Sequence, residues 1–371
     1  MKTTKKKIAK FRHNLAASLI ERDGEVDAVL TALLCRQHCL LVGGPGEAKT
    51  LLAHRLVEFL DFADQAFEAQ LNKFTEPDEL FGMFSIAGMK EDRYERLTEG
   101  MLPRAVVGYV DEVFNGSSAI LNTLLSIMNE RRFKNGSRFV DCPLQLLIGT
   151  SNKYPNGEGN KELKAMFDRF LLRRTVSPIQ RRANVSRLLW DTLSIEKSDT
   201  LSINELCEAQ AEVGSMEWDA SAKAAYEEII FQCRRAGIDS SGRRLRQCVM
   251  AVQAFAYLNE AEEVSQDHLG ILADCLWVDP DPEQRREVVS IVTKIASPSD
   301  LICNSLMMEV DEIIENLDAT DVAATSTACS KLQNTGKKLR KLGSARSERC
   351  CDEIEAAIKE IKRRAFSSAS F

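Results

Sequence analysis

Residues 40–50 read LLVGGPGEAKT. Three apolar residues run into a turn of glycine and proline, and a lysine and a threonine open the helical spacing that follows. Gly43-Gly44-Pro45-Gly46-Glu47-Ala48-Lys49-Thr50 fits the phosphate-loop pattern G-x-x-x-x-G-K-[ST] except that alanine replaces the second glycine. The chemistry requires backbone N–H groups turned inward on phosphate oxygens, an ammonium reaching the β and γ oxygens, and a hydroxyl for Mg²⁺. Alanine supplies its N–H as glycine does, and the first turn of a helix asks only for a φ below zero at Ala48. Gly44, Pro45, Gly46, Glu47, Ala48, Lys49, Thr50 and Leu51 are therefore the expected phosphate-binding residues, with Thr50 also a metal ligand. A tight turn in a purely structural domain is the competing reading of the loop taken by itself.

Some sixty residues downstream, AVVGYVDEVFN carries an apolar strand that ends in Asp111-Glu112. A strand of a parallel sheet releases its last residues onto the crevice where nucleotides bind. Asp111 there can hold Mg²⁺ through water, and Glu112 can polarise an attacking water. LQLLIGTSN ends a further apolar strand in Thr150-Ser151-Asn152. An amide at Asn152 would lie between Glu112 and the γ-phosphate and orient that water; a strand-end turn asparagine is the alternative.

Working outward, apolar strands at 39–42, 105–110, 144–148 and 171–176 alternate with helical spacing at 26–34, 50–60 and 117–128. Continuous apolar strands separated by helices predict an α/β fold, a parallel sheet covered on both faces. Residues 82–103 break the rhythm and read as an inserted loop or small hairpin. Asn135-Gly136 within FKNGSRF marks a tight β-hairpin. Beyond Pro178 the stripes at 203–213, 218–235, 243–259 and 267–277 are all helical, and Asp279-Pro280-Asp281-Pro282 closes them. The expected organisation is a basic arm at 1–20 with a flexible KTTKKK stretch, an α/β core at 21–177, an all-helical part at 178–282 and a helical hairpin or coiled coil at 283–371, with 367–371 frayed.

The formal net charge of −6 and the lack of a basic-aromatic surface motif argue against a nucleic-acid binder. No apolar run reaches the length of a membrane span, and the lysine-rich start is not followed by the apolar core of a secretory signal. Eleven cysteines include no C-x-x-C pair, and the four histidines have no HExxH setting. The pattern fits reduced thiols in a cytoplasmic protein, with neither a disulfide framework nor a zinc site. In SSGRRLRQ, Arg243 and Arg244 stand at a helix start, where the dipole disfavours cations. That misfit points to a phosphate, with Arg243 favoured as its ligand and Arg244 close behind.

The order of these segments resembles the AAA+ ATPases. Their wording resembles the MoxR branch and, within it, the RavA subgroup. The likeness rests on ERDGEVDAVLTALL, LLVGGPGEAKTLLAHRL, TEPDELFGMFSIAGMKEDRYERLTEGMLPRA, VDEVFNGSSAILNTLLSIMNERRFKNG, LLIGTSNKYP and LKAMFDRFLLRR, most of residues 20–180. Alanine before the lysine is usual in that branch. The resemblance implies a parallel-sheet AAA+ core with a helical lid and helical extension, ATP and Mg²⁺ as cofactors, and a homo-oligomeric ring, typically a hexamer. It implies that Arg169 reaches a neighbour's γ-phosphate, with Arg131, Arg132, Arg173 and Arg174 as rivals. It also implies that adenine rests against Ile20-Glu21-Arg22, and that a von Willebrand factor A domain protein is a partner in remodelling a protein client. The compact β-rich module of the RavA subgroup has no counterpart in the C-terminal part. A nucleotide-bound switch with low turnover, and a nucleic-acid motor of a defence system, are the alternatives.

Overall fold

A computed structural model describes residues 3–155, 161–190 and 200–296, and beyond these 306–307, 309–310, 313–314, 322–341, 347, 350–352, 354–359 and 361. The chain divides into two compact units, Met1–Val289 and Ser290–Phe371.

The first unit is built on a parallel sheet of β1 (Cys39–Val42), β2 (Ala66–Gln70), β3 (Val107–Asp111), β6 (Leu146–Ser151) and β7 (Leu172–Thr175), in the order β2-β3-β6-β1-β7. Every residue of β1 and β6 is buried, as strands covered on both faces must be. The strand β2 has no counterpart in the sequence reading. It is an edge strand whose Phe67 is buried while Glu68 and Gln70 are exposed, so it lacks the apolar run that marks the central strands.

Helices α2 (Asp23–Leu34), α3 (Lys49–Glu58), α6 (Ser118–Glu130) and α7 (Lys161–Arg169) belong to the core. The antiparallel hairpin β4 (Arg132–Asn135) and β5 (Arg138–Asp141) turns at Gly136, whose φ is +62°. Two short helices mark the insert, α4 (Pro77–Phe81) just before it and α5 (Ile86–Met89) within it. Its flanks pair through a Phe84–Arg96 bridge, with Leu97 N–H donating to Met83 O at 2.8 Å. It docks on the hairpin: Arg96 N–H donates to Asn135 Oδ1 at 2.6 Å, and Asn135 Nδ2 returns to Arg96 O at 3.1 Å.

The stretch read from sequence as an all-helical lid contains α8 (Arg182–Trp190), α9 (Ile203–Gly214), α10 (Ala220–Arg235), α11 (Gly242–Leu258) and a 3-10 helix at Gln266–Asp274. The sequence placed an ordinary helix at 267–277. It also read residues 1–20 as a basic arm whose KTTKKK start is flexible; instead α1 (Thr3–Ala17) is a docked helix. Ile8, Phe11 and Leu15 fall on one helical face and are buried. Phe11 meets Phe59 edge-on at 6.0 Å, and Lys7 and Arg12 pair with Glu205 and Asp27. Of the lysines that suggested an arm, Lys6 and Lys10 are exposed, whereas Lys5 lies over the Tyr257 ring and Lys7 is half-buried at Glu205.

Helix α12 (Pro282–Ala296) follows the lid. The second unit contains α13 (Val322–Arg340) and further helical positions between 347 and 361. Leu306, Cys329, Leu332, Leu339, Ile354 and Ile358 are among the residues of its buried cluster. Most of 301–317 and all of 367–371 lie outside the described residues.

Candidate nucleotide site

The phosphate loop begins as β1 ends. Gly43 N–H donates to Ser151 O at 3.1 Å, and a Cβ at Gly43 would stand 2.5 Å from Val176 O, so only glycine fits between β6 and β7 there. Gly46 has φ +81° with nothing within 4 Å of a built Cβ, leaving the backbone open to a ligand. Ala48 corrects the expectation from sequence: it does not have helical φ but takes φ 59°, ψ 21°, as the N-cap of α3. The turn needs a left-handed residue at that point, the conformation the usual glycine adopts without strain. An alanine holds it at a cost of about 1–2 kcal/mol.

Lys49 is buried under the loop. Its Nζ donates to Gly43 O and Gly44 O, each at 2.7 Å, and to Asn152 Oδ1 at 3.0 Å. All three ammonium protons are thus held at the loop mouth, on acceptors that phosphate oxygens can replace. Burial lowers the Lys49 pKa, with the nearby charges of Asp111, Glu112 and Glu47 opposing the shift. Asn152 ties the end of β6 to the loop through the same contact.

Asp111 is the last residue of β3 and accepts a short hydrogen bond from Thr150 Oγ1. Glu112 is left-handed, φ 51°, ψ 46°, and Asn115 Nδ2 lies 3.5 Å from its Oε2. Strain of this kind persists only where surrounding structure imposes it, and it gathers at functional sites. Thr50 Oγ1 lies 2.9 Å from the Tyr109 hydroxyl. Sequence reasoning passed over Tyr109, yet the signal was present: two residues before Asp111 on a strand, it faces the same side of the sheet.

A hydroxyl and a carboxylate at the loop mouth form an all-oxygen donor set of the kind Mg²⁺ takes when phosphates and waters complete its shell. Among the described residues no group of three or more His, Cys, Asp or Glu could hold a metal by itself. The residues therefore fit a metal that arrives with a nucleotide.

Glu21 and Arg22 lie behind the loop. Arg22 is buried; its Nε donates to Glu47 O at 3.2 Å and its Nη2 meets Glu47 Oε2 at 3.1 Å. The Glu21 carboxylate accepts from the N–H groups of Gln180 (2.8 Å) and Arg181 (2.9 Å) and from Asn184 Nδ2 (2.8 Å). Burial works to raise the Glu21 pKa, but these hydrogen bonds and the Arg181 charge lower it overall. Both side chains hydrogen-bond within the protein, so the segment Ile20-Glu21-Arg22 is fixed beside the loop.

The arginines gather elsewhere. Leu172, at the start of β7, pairs with Cys39, at the start of β1. Arg169 precedes β7 and Lys49 follows β1, so they stand at opposite edges of the sheet, separated by a strand of about 13 Å. Asp168 accepts from Arg169 Nη1 at 3.0 Å, Arg243 Nη2 at 2.8 Å and Arg244 Nη2 at 3.1 Å. Arg244 also donates to Cys275 O at 2.8 Å and is 2% exposed. It is a buried clamp between lid and core, which corrects its assignment to nucleotide binding. Arg243 is half-exposed; with Arg169, Arg36, Arg131 and Gln247 it lines a cleft of about 380 Å³. Of the rival arginines, Arg173 is fully buried over the rings of Phe167 and Trp277, and Arg174 pairs with Asp274 at 2.8 Å. Both are removed from contention. Arg131 reaches Arg36 O at 2.7 Å, and Arg132 lies exposed beside Asp141.

Residues 6–215 match the family model described as the MoxR domain in the MoxR-vWA-beta-propeller ternary systems, and residues 226–292 match an AAA lid domain. The chain is 31% identical over 368 residues to an uncharacterized protein of Methanocaldococcus jannaschii, covering 97% of this chain and 92% of that one. A second uncharacterized protein of the same organism is 34% identical over 312 residues, 84% of this chain and 79% of its own length. The crystal structure of a "putative ATPase" from Cytophaga hutchinsonii shares the fold, with a TM-score of 0.63 over 79% of this chain and 94% of that one, at 18% identity.

Proposed function

The chain belongs to the MoxR family of AAA+ ATPases, and from that premise we propose that it hydrolyses ATP in a ring of identical subunits and uses the cycle to remodel a protein client. The observation that carries this reading is the division of charge between the two edges of the sheet. Lys49, Thr50, Asp111, Glu112 and Asn152 meet at the carboxyl edge, where the loop N–H groups serve the triphosphate. Arg169 and Arg243 meet Asp168 at the other end of β7, a placement that supports a role toward the nucleotide of a neighbouring copy.

Lys49 exchanges its loop carbonyls for β and γ oxygens. Glu112 takes a proton from the attacking water, and Asn152 orients that water. Thr50 and Asp111 would hold Mg²⁺, which when bound supplies charge neutralisation across the β- and γ-phosphates. Arg169 and Arg243 from the next subunit exchange Asp168 for the developing charge on the γ-phosphoryl group. Exposed Met83, Ile86, Tyr94, Leu97 and Phe139 on the insert and hairpin support a client-facing role for those loops. The family description supports partners carrying a von Willebrand factor A domain and a β-propeller. The motif wording around the insert supports a place beside the RavA subgroup. No described helix is long and apolar enough to cross a membrane; a cytoplasmic site of action is part of the proposal.

Mixing subunits tests the division of labour. Lys49→Ala and Arg169→Ala chains should each be inactive alone. Mixed at equal amounts they should recover ATPase activity, because some interfaces then pair an intact loop with an intact arginine. No recovery from a mixture that co-assembles by mass would overturn the trans assignment.

A further inference from the structure

Arg22 stands just before α2 and is 4% exposed. Its guanidinium reaches three acceptors on two residues. Nε donates to Glu47 O at 3.2 Å, Nη2 meets Glu47 Oε2 at 3.1 Å, and Nη1 donates to Glu21 O at 2.8 Å. A planar fork used in this way fixes the direction of each group that it holds. Left-handed residues other than glycine flank these contacts: Glu21 has φ 53°, and Ala48, directly after Glu47, has φ 59°. Such conformations persist only where neighbouring structure imposes them.

The carbonyl of Glu47 and the N–H of Ala48 belong to one peptide unit. In a trans peptide the two point in opposite directions. With Glu47 O turned to the buried guanidinium, the Ala48 N–H turns away from it. A rotation of this peptide would let Ala48 relax to an ordinary φ, and its N–H would then be lost to a ligand in the loop. Charge adds a second reason for the contact. Glu47 is the one acidic residue of the loop at 43–50, and its carboxylate would repel a polyphosphate unless a cation offset it. Arg22 supplies that cation at 3.1 Å.

We propose that Arg22 is a positioning residue for the triphosphate: it holds the Glu47-Ala48 peptide with its N–H toward the phosphates and offsets the Glu47 charge. This rests on the reading of the loop as a triphosphate site. Arg22 acts through the loop and not on the reacting atoms, and the role is distinct from contact with a base.

The test uses the full chain with Mg²⁺. It measures the affinity of a fluorescent ATP analogue and its displacement by inorganic triphosphate. Arg22→Gln should weaken both ligands by about 10-fold, the scale of one left-handed residue left without support. A loss confined to the ATP analogue, with inorganic triphosphate at the parent's affinity, would place Arg22 at the base and overturn the proposal. Ala48→Gly should change the parent's affinity little but restore part of the loss in Arg22→Gln, because glycine takes the left-handed turn unaided. A purely structural Arg22 would show no such coupling, so an Ala48→Gly effect that is equal in the two backgrounds also overturns the proposal. If Arg22→Gln fails to fold, Arg22→Lys, which keeps the charge but lacks the fork, carries the same comparison with a smaller loss. A parent that binds neither ligand overturns the reading of the loop itself, and the proposal with it.

Discussion

Replacing Ala48 by glycine should stabilise the nucleotide-free protein. Relief of about 1–2 kcal/mol of left-handed strain is offset by about 0.4–1 kcal/mol from a freer unfolded chain. A net gain of about 1 kcal/mol should appear as a raised thermal midpoint, with nucleotide affinity little changed because the N–H direction is preserved. A lowered midpoint would show that the neighbourhood of Ala48 favours its methyl group. Residue types at the site were legible from sequence: Lys49, Thr50, Asp111, Glu112 and Asn152 all stand at the carboxyl edge of the sheet. Their dihedral angles were not. A motif gives the order of residues, and nothing in GPGEAKT distinguishes a left-handed alanine from a helical one. The Arg243-Arg244 pair was opaque for a related reason. Adjacent residues on a helix point about 100° apart, and which of the two turns inward depends on Asp168, 75 positions away in the chain.

At the level of elements, the central strands were read correctly because burial on both faces demands unbroken apolar runs. Edge strand β2 was missed because half of it faces water, and α1 was misread because its lysines outnumber its three anchors. Those anchors carry a prediction. Phe11 is 1% exposed and meets Phe59, so Phe11→Ala should destabilise the first unit by about 3–5 kcal/mol. Denaturant unfolding followed by far-UV circular dichroism would measure it. A loss below 1 kcal/mol would mean that α1 is only lightly held. The inserted segment was legible as an interruption, but its docking on the β4–β5 hairpin depends on Arg96 and Asn135, which no local pattern pairs.

For the whole molecule, Asp168 holds lid to core by accepting from Arg243 and Arg244 while Arg169 folds back on it. Burial works to raise its pKa, but the charges of Arg244 and Arg243 and a hydrogen bond from Arg244 lower it overall. A depressed carboxylate contributes stability that is present above its unfolded value, about pH 3.9, and is lost as pH falls through the folded value. Asp168→Asn should therefore lose about 2 kcal/mol at pH 7, the scale of hydrogen bonds to a charged group. The gap to the parent should narrow below about pH 3.9. Melting curves of the two proteins at pH 7 and at acid pH would show this, and a gap that is constant with pH would place the stabilisation elsewhere.

Glu21 and Arg22 are consecutive in the chain, yet one grips the entry to α8 and the other grips Glu47 in the loop. Between them lies a single planar peptide unit. The loop at Glu47 and the entry to α8 are thus tethered to adjacent residues of one short segment, α1 on one side of it and α2 on the other.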